Sequence, residues 1–181
     1  MIDILHDQPI VHGSGGSERP SFLASHRALA ICSRELERLA ATVVQAVAAL
    51  SEAGVDDKAV TRVSPSRCIV QLGPVALTLA WLRSTIDTVA DGDLLVIVWR
   101  GAVAPRGEHL PERMTVRRSP LAPTALWEGV FVAGGTDEAS WTWQPKTGRT
   151  PGYTSAELAA ASVERLRAAY EESRRAAAGP A

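Results

Sequence analysis

Arg67-Cys68-Ile69-Val70-Gln71-Leu72-Gly73-Pro74-Val75-Ala76-Leu77-Thr78-Leu79-Ala80-Trp81-Leu82 is the stretch that decides how this chain folds. Two apolar runs flank a Gly-Pro break, and each has the length of a strand rather than of a helix. In the second run Val75, Leu77, Leu79 and Trp81 share one face, while Ala76, Thr78, Ala80 and Leu82 share the other. Alternation of this kind, broken by a turn signal, predicts two strands joined by a tight connection.

The same signature extends in both directions over 58–144. It predicts strands at Ala59–Val63, Arg67–Leu72, Val75–Leu82, Leu94–Val103, Met114–Arg118, Leu126–Ala133 and Ser140–Trp143. Ser64-Pro65-Ser66, Asp91-Gly92-Asp93, the segment from Pro105 to Pro111, the one from Ser119 to Pro123, and Gly134-Gly135 separate them; Thr85 to Ala90 reads as a helical turn at most. Consecutive strands with short links favour an antiparallel meander, here of about five to seven strands.

Helical patterns bracket this region. From Pro20 or Ser21 to Ala53, Phe22, Leu29, Leu36, Val43 and Leu50 recur every seven residues, widened by Cys32, Leu39 and Val47. Arg27, Arg34, Glu37, Arg38, Gln45 and Glu52 fall on the other side, and Gly54 suits the position after the last turn. At the C-terminal end, Thr154-Ser155-Ala156-Glu157 matches a capping box, in which hydroxyl and carboxylate satisfy each other's free amides. Leu158, Ser162, Leu166, Ala169 and Tyr170 then line one face, and the pattern fades after Arg175. The expectation is a single α+β domain over 20–175: a long N-terminal helix, the meander sheet and a C-terminal helix. Residues 1–19, with His12-Gly13-Ser14-Gly15-Gly16-Ser17, read as a flexible arm and 176–181 as a disordered tail.

Two arguments point to missing cover. A helix from 21 to 53 would run roughly 50 Å, whereas a globule of this size is about 40 Å across. Independently, both faces of Val75–Leu82 and Leu94–Val103 are apolar, although two helices cover only one side of a sheet. The partner implied is a second copy or another protein chain, with Phe22, Leu29, Leu36, Val43 and Leu50 as candidate interface residues. Tryptophan is the commonest aromatic, five against two Tyr and two Phe. Trp81, Trp99, Trp127, Trp141 and Trp143 all fall on expected strands, as core fillers or as a binding surface. Trp141 and Trp143, in a short terminal strand, are expected to be the exposed pair. Trp99, Trp127, Glu128, Trp141 and Trp143 are thus the candidate ligand or partner contacts.

Composition narrows the chemistry. The 181 residues are 46% hydrophobic and 22% charged, unlike a disordered chain. Nineteen Lys and Arg against twenty Asp and Glu leave a net charge of −1, so no basic field gathers nucleic acid or anionic lipid. No signal peptide is visible after Met1, and Leu94 to Trp99 is too short to span a bilayer. Cys32 and Cys68 read as buried reduced thiols of a cytoplasmic protein. The preference for Arg over Lys reads as coding bias of a GC-rich bacterial genome.

No catalytic motif or cofactor signature is present. His6 and His12 sit in the expected arm, His26 beside the apolar stripe and His109 in a Pro/Gly-rich loop, so no metal site and no cofactor is expected. Glu128 interrupts an apolar strand, either to pair with Arg100 across the sheet or to face a ligand. These features favour a non-catalytic interaction or structural module that is a homo-oligomer or a subunit of a complex. The alternative is a small-molecule-binding domain whose apolar cleft holds Trp99 and Trp127. An enzyme using Glu128 or His109 as acid or base ranks third.

Overall fold

A computed structural model describes residues 22–52, 57–83, 88–103, 122–147 and 151–178, the side chains of 51 and 52 excepted. The expected arm 1–19, the strand Met114–Arg118, His6, His12, His109, residues 179–181 and residues 85–87 of the expected turn Thr85–Ala90 lie outside the described residues.

A short 3-10 turn, Phe22–Ala24, leads into α1, His26–Glu52. The sheet follows as β1 Val60–Ser64, β2 Arg67–Leu72, β3 Val75–Leu82, β4 Asp93–Arg100, β5 Thr124–Gly134 and β6 Thr142–Pro145, and α2 Ser155–Ala178 closes the fold. The six strands lie side by side in chain order, every neighbouring pair antiparallel, so the expected α+β meander is what forms.

Local chemistry sets the boundaries. Ser25 caps α1: its Oγ accepts the amide of Ala28 at 3.2 Å and donates to the Phe22 carbonyl at 2.6 Å. The helix therefore starts at His26, later than the apolar repeat implied, and its 27 residues span only about 40 Å. That matches the width of the domain and removes the argument from an overhanging end. Gly73 takes a left-handed φ of 52°, and Gln71 Nε2 donates to the Gly73 and Val75 carbonyls, both at 2.9 Å, closing the β2–β3 turn. β4 stops at Arg100 rather than Val103 because Gly101, at φ 106°, turns the chain; its amide meets the Pro74 carbonyl at 2.7 Å. Gln71 Oε1 then accepts the Val103 amide at 3.0 Å.

The capping box forms as expected. Thr154 N–H donates to Glu157 Oε2 at 2.8 Å, and Glu157 N–H to Thr154 Oγ1 at 3.2 Å. All five residues expected on the inner face of α2 are buried. The helix runs on to Ala178, so 176–178 are helical rather than tail.

Both helices pack on each other and on one face of the sheet, with α2 over β3 and β4 and α1 beside it toward β2. The core line of α1 runs through Ala28, Cys32, Glu35, Leu39, Val43 and Val47. Of the seven-residue repeat only Val43 is fully buried; Phe22, Leu29, Leu36 and Leu50 are half-buried at the core margin. A strict seven-residue spacing drifts by about 20° per repeat on a straight helix, so it leaves the line that faces the core.

Candidate functional site

Strand register assigns every sheet residue to a face. Val98, Val96 and Leu94 of β4 pair with Leu77, Leu79 and Trp81 of β3 beneath the helices. Ile97 and Leu95 pair with Thr78 and Ala80 on the opposite face, over which no described helix or strand lies. On that face Ile69, Ala76 and Ala80 are nevertheless buried, and Leu95, Ile97, Trp99, Val130 and Val132 are half-buried. The small side chains of β3 sit low between larger neighbours, and Trp99 lies across them, its Nε1 donating to Thr78 Oγ1 at 3.1 Å.

The expected contact residues scatter over three environments. Trp99 is on the helix-free face. Trp127 is opposite Val98 on the helix side, and the Arg165 guanidinium of α2 stacks 4.2 Å from its ring centre. A bulge between Val98 and Trp99 alters the pairing here, yet the two tryptophans remain on opposite faces. They do not line one cleft, which corrects that expectation.

Trp141 and Trp143 are core residues, 7% and 0% exposed, which overturns their expected exposure. The reason is that β6 is not the end of the layer. The chain returns beside it, with Trp143 N–H donating to the Tyr153 carbonyl at 2.7 Å and Tyr153 N–H to the Trp143 carbonyl at 2.9 Å, before α2 closes over both. Trp143 stands edge-on to Trp81 at 5.8 Å and to Trp141 at 5.7 Å.

Glu128 is exposed on the helix-free face opposite Ile97. The expected pair with Arg100 does not form, because Arg100 faces α2 and bonds Glu172 at 3.1 Å. A shallow depression of about 360 Å³ beside the β5–β6 edge includes Trp127, Glu128, Phe131 and Tyr153. Its lining holds the hydroxyl-bearing Thr147 and Tyr153 but no histidine, cysteine or second carboxylate beside Glu128. His26 is exposed at the start of α1 rather than set in the stripe.

A second concavity was not anticipated. Between α1 and the β1–β2 hairpin lies an apolar cleft of about 320 Å³, with Leu36, Ala40 and Val44 on one wall and Cys68, Leu79 and Trp81 beneath. It exists because α1 covers β2 but not β1: Cys68 is 2% exposed, while its cross-strand partner Val63 is 61% exposed. Helix periodicity and strand alternation mark each of these residues as apolar. Neither says that the helix stops one strand short of the sheet edge.

The acidic residues at turns act as structural ties. Glu138, in the β5–β6 connection, accepts Arg34 at 2.6 Å and Arg27 at 3.3 Å; the Arg34 hydrogen bond first, then that from Arg27, hold its carboxyl below the usual carboxylate range. Asp137 is held low chiefly by its hydrogen bond from Ser140. Burial pushes the Cys32 thiol up to about 12 and the Cys68 thiol up to about 11, with Arg83 pulling Cys32 part of the way back. Among the described residues no group of three or more His, Cys, Asp or Glu is placed to hold a metal ion. No described helix is long and apolar enough to cross a membrane.

The fold and these surfaces define a two-helix, one-sided six-strand meander with an apolar outer face. No protein-family model, curated protein or solved structure matches the chain.

Proposed function

We propose that this chain is a non-catalytic interaction module whose helix-free sheet face binds a second copy of itself. One observation carries the reading: Leu95, Ile97, Trp99, Val130 and Val132 form an apolar surface on the side that neither helix covers. An antiparallel sheet with one wet face normally alternates apolar and polar residues cleanly. Contiguous apolar patches beyond a few hundred Å² mark interaction surfaces.

Size and charge favour a second copy as partner. Strands about 4.8 Å apart that rise about 3.4 Å per residue give the six strands a face on the order of 700 Å². A specific interface needs about 800 Å² per partner, close to the area of this face. The outward positions of β3 and the inner part of β4 (Ala76, Thr78, Ala80, Leu95, Ile97) carry no charge, and Glu128, exposed opposite Ile97, is the carboxylate that a second copy has to accommodate beside them. Two sheets packed face to face would interleave these side chains in a layer about 10 Å thick. The buried thiols favour a reducing, cytoplasmic compartment.

Light scattering coupled to size exclusion tests the reading. The wild-type chain is expected to be a dimer at micromolar concentration and Ile97→Glu a folded monomer. A wild-type chain that stays monomeric throughout that range overturns it.

A further inference from the structure

We propose that the cleft between α1 and the β1–β2 hairpin is a binding site for a compact, uncharged, apolar small molecule of about two fused rings. The site lies on the helix side of the sheet, so it is independent of self-association through the other face.

Its lining sets the ligand chemistry. Leu36, Ala40, Val44, Cys68, Leu79 and Trp81 offer no charged group inside. Charges stand only at the lips, Glu37 on α1 and Arg67 on the hairpin, and their opposite signs select neither an anion nor a cation. An apolar cavity of about 150 Å³ admits one benzene ring. At about 320 Å³ this cleft has room for roughly two. That volume also falls at the lower end of small-molecule pockets.

The floor is preformed. The Trp81 ring is held between Trp143, edge-on at 5.8 Å, and the backbone at Gly92, where a Cβ would overlap the indole. A floor fixed before binding loses little freedom when a ligand arrives. Val63, on the outer wall, leaves the mouth open to solvent.

The test uses the full chain and N-phenyl-1-naphthylamine, a neutral naphthyl fluorophore. Saturable one-site binding is expected, with a blue-shifted probe emission and quenching of indole emission that Trp81→Phe diminishes. Ala41→Trp, which fills the mouth from an exposed position, should weaken binding at least ten-fold. Val63→Trp should do the same from the opposite wall and serves if Ala41→Trp does not fold. Ile97→Glu on the other face should leave binding unchanged. Four outcomes would each overturn the inference: non-saturable binding, unaltered binding in both folded mouth variants, loss of binding in Ile97→Glu, or equal affinity for 2-naphthoate. Loss of self-association in the mouth variants would also overturn it, by assigning the cleft to a second copy.

Discussion

Ser155 Oγ donates a 2.8 Å hydrogen bond to Glu35 Oε2, tying the first residue of α2 to the middle of α1 across 120 positions of sequence. Trp143 Nε1 donates to the same hydroxyl at 2.9 Å, and Arg38 reaches Glu35 Oε1 at 3.2 Å from the solvent side. Glu35 is only 7% exposed, so the chain Trp143–Ser155–Glu35–Arg38 satisfies a carboxylate that burial alone would penalise. Removing Ser155 Oγ leaves a buried acceptor and a buried indole N–H without their partner. Ser155→Ala should therefore cost about 1–3 kcal/mol in urea denaturation. A double-mutant cycle with Glu35→Gln should show coupling rather than additivity.

Trp143 is fully enclosed and touches both Trp81 and Trp141, so its truncation leaves a large void. Trp143→Ala is expected to cost about 3–5 kcal/mol, read from the denaturation midpoint. A loss under about 1 kcal/mol would mean that the side chain stands at the surface.

Glu138 gives the fold an acid-sensitive tie. Its carboxyl, ordinarily near 4.5, is lowered in the folded state by the hydrogen bonds from Arg34 and Arg27. A depressed folded value contributes stability that is present above the unfolded value and lost as pH falls through the folded one. The urea midpoint of the wild type should exceed that of Glu138→Gln at neutral pH, and the difference should shrink as pH drops below the ordinary carboxylate value. A difference independent of pH would exclude this tie.

The thiols should behave oppositely in alkali. Both folded values lie above the ordinary thiol value of 9.0, because burial disfavours the thiolate. Stability from keeping them neutral is complete below the unfolded value and lost as pH rises toward the folded ones. In native protein at about pH 8, Cys32 and Cys68 should resist a disulfide thiol reagent for hours, whereas both should titrate at once in guanidinium. Rapid native reaction of either would contradict its burial.

Turn and cap chemistry is what the linear chain displays best. The bounds of β2 and β3 coincide with the expected ones because Gly73 takes a left-handed φ and Pro74 punctuates the same turn. Thr154 and Glu157 announced α2 because a capping box is local, closed within three residues. Ser25 was harder to see, since it caps the helix three residues after the apolar repeat has begun at Phe22. The candidate contacts were misplaced for a different reason. Whether Trp99 and Trp127 share a face depends on the β4–β5 register and its bulge, and whether Trp143 is open depends on where Tyr153 returns.

Amino-acid order alone therefore determined the element types, the meander and the inward faces of β3 and α2, because periodicity, turns and caps act over a few neighbouring residues. Only the tertiary structure decided that α1 stops short of β1, that Trp141 and Trp143 are interior, and that Leu95 and Ile97 lie uncovered by either helix. Those outcomes follow from how elements distant in sequence stack on one another, and burial belongs to that stacking rather than to any single segment.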